Sequence, residues 1–206
     1  MHFYYLKIFI IVFFSFFWRF ANAEMTIEEF VFDESMPLHL KILEVLPEEA
    51  IIQIGDNNSE NTIIEFLDYF CGYCKKLHFE LIELVNERED VRVVFIQHPI
   101  LNESSHIISK MVLAANLQGK GIDLHNAIFS IEGSLNHNKL EKAIKTSGVD
   151  EFKLSIDIGK IQINKLLDLS SFVAGGLGAR GTPSIFVNES FSPGYLPKNS
   201  IIELLK

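Results

Sequence analysis

Ile63-Ile64-Glu65-Phe66-Leu67-Asp68-Tyr69-Phe70-Cys71-Gly72-Tyr73-Cys74 is the stretch from which the architecture of this chain can be inferred. It joins a β-branched and aromatic run to the only two cysteines among 206 residues. A structural disulfide between cysteines so close together would remove little entropy from the unfolded chain, because the benefit of a cross-link grows with loop length. Cys71 and Cys74 therefore form a candidate redox site.

The cysteine pair lies between two predicted strands. Thr62–Tyr69 is typical of a strand buried on both faces, and Val91–Gln97 repeats that pattern before Pro99. Between them, Gly72–Arg88 predicts an amphipathic helix, because one apolar stripe recurs at three- and four-residue spacing: Cys74, Leu77, Leu81, Leu84 and Val85. Strand, helix and strand in this order predict a parallel crossover unit.

The pattern becomes helical after the second strand. Apolar residues recur at helical spacing from 102 to 178, strand character returns at Ser184–Val187, and Asn199–Lys206 predicts a final helix. We interpret this as a small α/β domain, residues 61–101 and 179–206, interrupted by an inserted helical domain at 102–178.

The N-terminus resembles a secretory signal peptide. Lys7 supplies a positive charge, Ile8–Trp18 is apolar apart from Ser15, and Ala21-Asn22-Ala23 matches a cleavage site. We expect cleavage after Ala23 and export of Glu24–Lys206 to an oxidising compartment, where cysteine pairs persist. Arg19 lies between the apolar run and the cleavage site, so an uncleaved anchor is the alternative.

The charge of the chain argues against nucleic acid as a partner. The net charge is −9, and loss of Lys7 and Arg19 with the signal peptide makes the mature chain more acidic still. No patch rich in lysine or arginine is present in the sequence.

Residues 24–60 precede the predicted α/β domain and are interpreted as a stalk for oligomerisation. Thr26-Ile27-Glu28-Glu29 fits a helix capping box. The segment Leu38–Leu46, between Pro37 and Pro47, is densely apolar. It packs either onto its own domain or against other subunits, since an exposed apolar surface of this size would favour aggregation.

The two cysteines have different predicted roles. Cys71 falls at the N-cap of the predicted helix, where free backbone N–H groups and the helix dipole favour a thiolate and lower its pKa. Cys74 lies one turn into the helix on the apolar stripe, as expected of a buried resolving thiol. Gly72 and Tyr73 between them tune how strongly the thiolate is favoured.

The two cysteines have three alternative interpretations, as a haem attachment site, a zinc site or a copper site. Attachment of haem needs a histidine directly after the second cysteine, and position 75 is lysine. A structural zinc site needs four ligands, of which His78 could be a third; a helix-face histidine with a local hydrogen bond is the simpler interpretation. Copper bound by the two cysteines alone stays open. Lys75 and Lys76 either strengthen the positive field at Cys71 or are simply solvated.

Three further residues stand out from their surroundings. Glu65 is a carboxylate within an apolar strand, and burial would raise its pKa so that it could exchange the Cys74 proton; a solvated glutamate is the alternative. Asp68, at the strand end, is interpreted as a turn or cap residue. Pro183 at the start of a strand is permitted, whereas a cis Thr182–Pro183 bond would point to function.

Three motifs together resemble the thioredoxin superfamily, and more closely its exported bacterial Dsb branch. They are Glu65–Lys76, His98-Pro99 and Gly181–Asn188, and the resemblance covers residues 61–206. It implies a thioredoxin fold with an inserted α-helical domain, because Pro183 lies much farther from Cys74 than in plain thioredoxins and such an insertion is typical of the Dsb type.

The resemblance also assigns roles to residues of the site. Cys71 is implied to be the nucleophile, Cys74 the resolving thiol and Glu65 the buried acid. Thr182 and a cis-Pro183 are implied to face the cysteines, where the Thr182 backbone pairs with substrate peptide. No cofactor is implied beyond the redox-active Cys71–Cys74 disulfide.

Within the branch, Gly72-Tyr73 with Thr182 resembles disulfide isomerases more than strong oxidases, which carry Pro-His and Val at these places. The implied function is a periplasmic disulfide isomerase for exported proteins that contain cysteines, kept reduced by a DsbD-like membrane reductase. A DsbA-like oxidase, reoxidised by a DsbB-like quinone-linked partner, is the alternative, and an exported copper-binding protein is a third. Residues 24–60 resemble the short stalk of the trimeric suppressor-of-copper-sensitivity (ScsC-like) type, so a homo-oligomer is expected, a trimer rather than a dimer.

Overall fold

A five-stranded sheet forms the centre of the fold in the computed structural model, which describes residues 35–206. Its strands are β1 (Ile52–Ile54), β2 (Asn61–Leu67), β3 (Val91–Gln97), β4 (Ser184–Val187) and β5 (Ser190–Ser192), in the spatial order β1-β3-β2-β4-β5. The predicted signal peptide and the capping box Thr26–Glu29 lie outside the described residues.

Eight α-helices occur in the described part of the chain. They are α1 (Leu38–Val45), α2 (Gly72–Glu87), α3 (Glu103–Asn116), α4 (Gly121–Phe129), α5 (His137–Ser147), α6 (Glu151–Asp157), α7 (Ile161–Gly176) and α8 (Lys198–Ile202); a 3₁₀ turn, Glu48–Ala50, precedes β1. None of the helices within residues 35–206 is long and apolar enough to cross a membrane.

The predicted strand–helix–strand unit is confirmed. β2 and β3 pair in parallel, from Asn61 opposite Val91 to Leu67 opposite Gln97, with α2 between them in sequence. β4 then pairs antiparallel with the other edge of β2. β2 is therefore the central strand, which explains why every one of its residues is buried.

The apolar stripe of α2 packs into the core as its spacing predicted. Cys74, Leu77, Leu81 and Leu84 are all fully buried. Complete burial of one leucine side chain contributes about 1.5–3 kcal/mol relative to exposure. The same stripe that anchors the helix therefore places Cys74 inside the protein.

The sheet begins earlier than residue 61. β1, within the segment interpreted as a stalk, pairs antiparallel with β3, so Ile52 lies opposite Phe95. Gly55 directly follows this strand with a φ of +89°, and a Cβ there would lie 2.5 Å from the Val91 carbonyl oxygen. A three-residue strand has too few residues to show an alternating pattern, so the sequence did not reveal β1 or β5.

The chain end also differs from the prediction. The final helix covers Lys198–Ile202 rather than Asn199–Lys206, and the residues after it form a turn. Only Ile201 of this helix is buried, so little packing favours a longer one.

The apolar segment Leu38–Leu46 is divided between two environments. Ile42 and Leu46 are buried in the core of their own domain. Leu38 and Leu40, by contrast, are 42% and 37% exposed. Packing onto the domain therefore accounts for part of the segment and leaves Leu38 and Leu40 partly exposed.

The helical block predicted for 102–178 is confirmed as the five consecutive helices α3 to α7. These helices contact one another, and two of them also reach the sheet: α4 packs against β1 and α7 against β3. Residues 36–206 form one compact unit. The inserted helices therefore share their core with the sheet.

Candidate redox site

Cys71 lies where the loop after β2 becomes helix α2. Its backbone is extended and its sulfur caps the helix, accepting the N–H of Cys74 at 3.4 Å. The Cys71 N–H donates to the Asp68 carbonyl oxygen at 3.0 Å, which fixes the turn. The sulfur therefore sits at the positive end of the helix dipole, as the sequence predicted.

This environment favours the Cys71 thiolate. It lowers the pKa of Cys71 from 9.0 to about 6, mainly because the Cys74 thiol donates a hydrogen bond to the sulfur. The backbone N–H groups of Cys74 and Tyr73 act in the same direction, and burial opposes them. At neutral pH the reduced site thus holds a nucleophilic sulfur.

Cys74 behaves in the opposite way. Both cysteines are free thiols, but Cys74 is fully buried whereas Cys71 is 9% exposed. Burial strongly raises the pKa of Cys74, and the neighbouring Cys71 and Glu65 raise it further. Cys71 can therefore attack a disulfide in solution, while Cys74 reacts only with a sulfur already held at the site.

Glu65 lies in the centre of the sheet beneath these thiols. It pairs with Phe95 on one side and Ile185 on the other, and it is fully buried, which excludes the solvated alternative. Neither carboxyl oxygen accepts a hydrogen bond of good geometry from residues 35–206. Burial raises the pKa of Glu65, and interaction with the Cys74 thiol offsets part of the rise.

The loop before β4 faces Cys71. The Cys71 thiol donates to the Thr182 carbonyl oxygen at 3.1 Å, and the Thr182–Pro183 peptide bond is cis. The Thr182 hydroxyl is buried and has no hydrogen-bond partner in the described chain. Thr182 is thereby placed beside the nucleophile although it belongs to a distant part of the sequence.

Gly72 and Tyr73, the residues between the cysteines, face outward. A Cβ on Gly72 would meet open space, and the Tyr73 side chain is 62% exposed. The Tyr73 ring lies 5.5 Å from that of Tyr195, and the Lys76 ammonium lies 4.5 Å from the centre of the Tyr195 ring. Lys75 instead donates to the Ile131 carbonyl oxygen, so both lysines have specific contacts.

Asp68 has a larger role than a turn residue. Its buried carboxylate accepts the N–H of Phe70 at 2.8 Å, as in an ordinary turn, but also three donors from two distant segments. These are the N–H groups of Ile100 and Leu101, both at 2.9 Å, and the Ser105 hydroxyl at 2.8 Å. The sequence predicted only the local part of this arrangement.

A series of buried, hydrogen-bonded polar side chains, which the sequence did not predict, includes residues of α2, α4 and β3. The Tyr69 hydroxyl is 2.9 Å from Nδ1 of His125, and Nε2 of His125 is 3.2 Å from Nδ1 of His78. Gln97 donates to the Tyr69 hydroxyl at 3.4 Å. His78 was expected to hydrogen-bond locally; that was wrong, because its partner lies in α4 of the inserted block.

The two histidine hydrogen bonds share one direction, because a neutral imidazole donates through one nitrogen and accepts through the other. Either the Tyr69 hydroxyl donates to Nδ1 of His125 and Nε2–H of His125 donates to Nδ1 of His78, or both bonds run in the opposite direction. Burial lowers the pKa of His78 to about 4 and that of His125 well below its ordinary value. Both imidazoles are therefore neutral, and each satisfies its neighbour.

The arrangement as a whole is suited to thiol chemistry. It unites an ionised, accessible sulfur, a buried second thiol, a buried acid and a backbone carbonyl from another segment. No group of three or more histidine, cysteine, aspartate and glutamate side chains arranged to hold a metal ion is found among residues 35–206.

Comparison with known proteins identifies the family. A sequence model described as thioredoxin matches residues 48–204. No curated protein sequence matches the chain significantly.

Solved structures share the fold. A thioredoxin-like oxidoreductase from Silicibacter pomeroyi has a TM-score of 0.70 at 29% identity, covering 75% of this chain and 90% of its own. The thiol-disulfide exchange protein alpha-DsbA2 from Wolbachia pipientis has a TM-score of 0.70 at 25% identity, covering 80% and 90%. The catalytic domain of Proteus mirabilis ScsC has a TM-score of 0.70 at 23% identity, covering 80% and 93%.

The family match spans the sheet, α2, the inserted helices and the loop that faces Cys71, and the chain therefore belongs to the thioredoxin family.

Proposed function

We propose that this protein is a thiol–disulfide exchange enzyme acting on exported proteins, with disulfide isomerisation as its main reaction. The observation that carries the thiol–disulfide exchange is the pairing of a Cys71 thiolate, whose pKa is lowered to about 6, with a fully buried Cys74. The Silicibacter pomeroyi oxidoreductase and the Wolbachia pipientis thiol-disulfide exchange protein support this chemistry by their similarity.

The reaction begins at Cys71. Its thiolate attacks one sulfur of a client disulfide, forms a mixed disulfide and releases the other client sulfur as a thiolate. In isomerisation, a different client thiolate then displaces Cys71, so the client's disulfides are rearranged without net oxidation. The Thr182 backbone is proposed to pair with the client peptide during these steps.

Cys74 releases a client that remains bound to Cys71 as a mixed disulfide. The Cys74 thiol passes its proton to the ionised form of Glu65, attacks the Cys71 sulfur and closes the Cys71–Cys74 disulfide. The client sulfur leaves as a thiolate, so the client has gained two electrons relative to its disulfide. A membrane reductase must then restore the dithiol. This partner is proposed to be DsbD-like, and the compartment the periplasm.

A disulfide oxidase is the second candidate, and one observation favours it. Stabilising the Cys71 thiolate stabilises the reduced form of the site and so makes its disulfide more oxidising. In that case the disulfide passes to a client dithiol, and a DsbB-like quinone-linked partner reoxidises the site.

Ribonuclease refolding separates the two candidates. We expect the reduced protein to restore activity to scrambled ribonuclease, and Cys74→Ser to retain part of this activity because isomerisation needs only Cys71. Cys71→Ser is the matched control and should be inactive. Fast oxidation of reduced ribonuclease without recovery of the scrambled enzyme would instead establish the oxidase.

The protein is further proposed to be a homo-oligomer, a trimer rather than a dimer. The exposed apolar side chains of Leu38 and Leu40 in α1 support an intersubunit contact. Light scattering of Glu24–Lys206 should give the mass of three chains, and Leu38→Ser with Leu40→Ser should lower it. A monomer mass for the unmodified chain would end this proposal.

A further inference from the structure

His98-Pro99, one of the three motifs that resemble the Dsb branch, has no part in the proposed reaction. His98 directly follows β3, and its N–H donates to the Leu67 carbonyl oxygen at 2.8 Å, so the pairing of β3 with β2 extends to this residue. The imidazole is buried and packs edge-on against the Phe66 ring, with 6.5 Å between the ring centroids. The sheet therefore fixes the place of the His98 side chain.

The His98 side chain binds a distant part of the chain. Its Nε2 lies 2.9 Å from the carbonyl oxygen of Ala179. A carbonyl oxygen can only accept, so Nε2 carries the hydrogen of this bond, in the neutral imidazole and in the protonated one alike. Nδ1 is buried and has no hydrogen-bond partner among residues 35–206. An unpaired buried polar atom destabilises a fold, so the bond through Nε2 is what this imidazole offers over an apolar side chain.

Ala179 begins the segment 179–182, which leads to the redox site. It lies three positions before Thr182, whose carbonyl oxygen is 3.1 Å from the nucleophilic sulfur. Between them, Arg180 is exposed and Gly181 has no side chain with which to pack. Packing therefore contributes little to the position of this segment, which depends on hydrogen bonds to its backbone.

Two side chains outside the cysteine pair donate such hydrogen bonds in the described part of the chain. His98 holds Ala179 at the beginning of the segment, and the Ser184 hydroxyl donates to the Gly181 carbonyl oxygen at 2.7 Å near its end. One donor follows β3 and the other belongs to β4, the two strands that flank β2. Without the His98 bond, the Thr182 carbonyl oxygen could move relative to the sulfur at the end of β2.

We propose that His98 is a positioning residue, which holds the segment 179–182 so that the Thr182 backbone stays beside Cys71 and within reach of a client peptide. The inference rests on the proposed thiol–disulfide exchange and on the proposed pairing of Thr182 with the client. His98 gives no atom to the exchange; it acts on how firmly a peptide is held while Cys71 attacks. A small disulfide without a peptide backbone should not depend on it.

The test compares two substrates that release the same thiol. One is a short peptide whose single cysteine forms a mixed disulfide with β-mercaptoethanol, and the other is bis(hydroxyethyl) disulfide. In both, the Cys71 thiolate attacks one sulfur, a mixed disulfide with Cys71 forms and β-mercaptoethanol leaves as its thiolate. Stopped-flow measurements with the reduced protein give the limiting rate and the half-saturation concentration for the peptide, and the second-order rate constant for the small disulfide.

Two variants of His98 separate its hydrogen bond from its bulk. His98→Leu removes the donor; it should raise the half-saturation concentration for the peptide about tenfold and change the rate constant for the small disulfide by less than about twofold. His98→Gln keeps an N–H donor near the place of Nε2 and should restore most of the peptide binding. His39→Leu is the matched control, because His39 is equally buried and also has an unpartnered Nδ1, but lies in α1.

Ser184→Ala serves if His98→Leu does not fold. It removes the second hydrogen bond to the segment 179–182 and should also weaken the binding of the peptide and not the reaction of the small disulfide. No effect of this variant on the peptide would then overturn the proposal.

The other outcomes are distinct. An unchanged half-saturation concentration in His98→Leu, an equal loss for both substrates, or a loss in His98→Gln or His39→Leu as large as that in His98→Leu would each overturn the proposal. Failure of the unmodified protein to exchange with bis(hydroxyethyl) disulfide would instead overturn the proposed function, since that reaction does not need the Thr182 backbone.

Discussion

The sulfur of Cys71 lies 3.1 Å from the carbonyl oxygen of Thr182, across 111 positions of the sequence. As a thiol, Cys71 donates a hydrogen bond to this oxygen. An ionised sulfur has no proton to donate, so ionisation releases the carbonyl oxygen as an acceptor. The ionisation that makes Cys71 nucleophilic therefore also frees the Thr182 carbonyl oxygen to accept another hydrogen bond.

The reactivity of Cys71 should follow its lowered pKa. We expect the rate of alkylation by iodoacetamide to rise with pH with a midpoint near the pKa of about 6. Cys74→Ala removes the main hydrogen-bond donor to the sulfur, so its midpoint should be higher. Mass spectrometry of the alkylated peptide measures the rate. A midpoint near 9.0, the ordinary value of the cysteine pKa, would contradict this assignment.

Ionisation of Cys71 should also stabilise the reduced fold. The pKa is lowered from 9.0 in an ordinary thiol to about 6 in the folded chain. The stabilisation is complete above the ordinary value and is lost as pH falls through the folded value, and it amounts to at most about 4 kcal/mol.

Urea unfolding of the reduced protein and of Cys71→Ser, compared at several pH values, measures this contribution. We expect the difference in free energy of unfolding to grow as pH rises between these two pKa values. A difference that does not change with pH would show that folding leaves the ionisation of Cys71 unaltered.

Replacement of Glu65 by glutamine should have opposite effects on stability and on the rate of disulfide closure. Burial raises the pKa of Glu65 above its ordinary value of 4.5. The native fold therefore favours the protonated carboxyl, and the unmodified protein should lose stability relative to Glu65→Gln as pH rises above that value. Glu65→Gln should at the same time slow closure of the Cys71–Cys74 disulfide by about tenfold or more, because a general base is lost.

Stopped-flow release of thiol from a mixed disulfide with Cys71 measures the closure step. Cys74→Ser, which cannot close the disulfide, gives the baseline. If Glu65→Gln closes the disulfide at the rate of the unmodified protein, then Glu65 does not accept the Cys74 proton.

Removal of the Tyr69 hydroxyl group should lower the free energy of unfolding. Tyr69→Phe removes the hydroxyl group that joins His125 to Gln97 and leaves buried polar groups without partners. We expect a loss of about 1–3 kcal/mol in the free energy of unfolding. A double-mutant cycle with His125→Phe should give a coupling energy of about 0.5–3 kcal/mol, because the two groups are in direct contact. Additive effects would show that the hydrogen bond contributes nothing to stability.

Gly55, which follows β1, lies so close to the backbone of Val91 that we expect glycine to be required there. A Cβ at Gly55 would lie 2.5 Å from the Val91 carbonyl oxygen, and its φ of +89° is unfavourable for other residues. Gly55→Ala should therefore lower the thermal midpoint, by an amount that corresponds to about 1 kcal/mol or more. Gly194→Ala is the matched control, since a Cβ at Gly194 would meet open space. Equal midpoints for the two variants would contradict the prediction.

The sequence was most informative where local patterns were strong. The strand Val91–Gln97 and the strand Ser184–Val187 have the predicted bounds, and α2 ends one residue before the predicted Arg88. These elements are long or continuously apolar, so each shows its own periodicity. β1 and β5 have three residues each, and their pairing depends on strands elsewhere in the chain.

The candidate site was predicted unevenly for a similar reason. Cys71, Cys74 and Glu65 could be identified because each departs from the pattern around it. Asp68 and His125 could not, because their importance comes from partners far away in sequence: Ile100 and Leu101 for one, Tyr69 and His78 for the other. A buried histidine on an apolar helix face was the available signal for His125.

By itself, the sequence determined that two cysteines separated by two residues would lie at the start of an amphipathic helix, since composition and spacing act over a single turn. Only the tertiary structure decided what surrounds the sulfur of Cys71: the Thr182 carbonyl oxygen, the buried Glu65 and the segments held by Asp68. These groups meet because burial of the sheet and its helices in one core brings distant segments together, and no local pattern encodes that meeting.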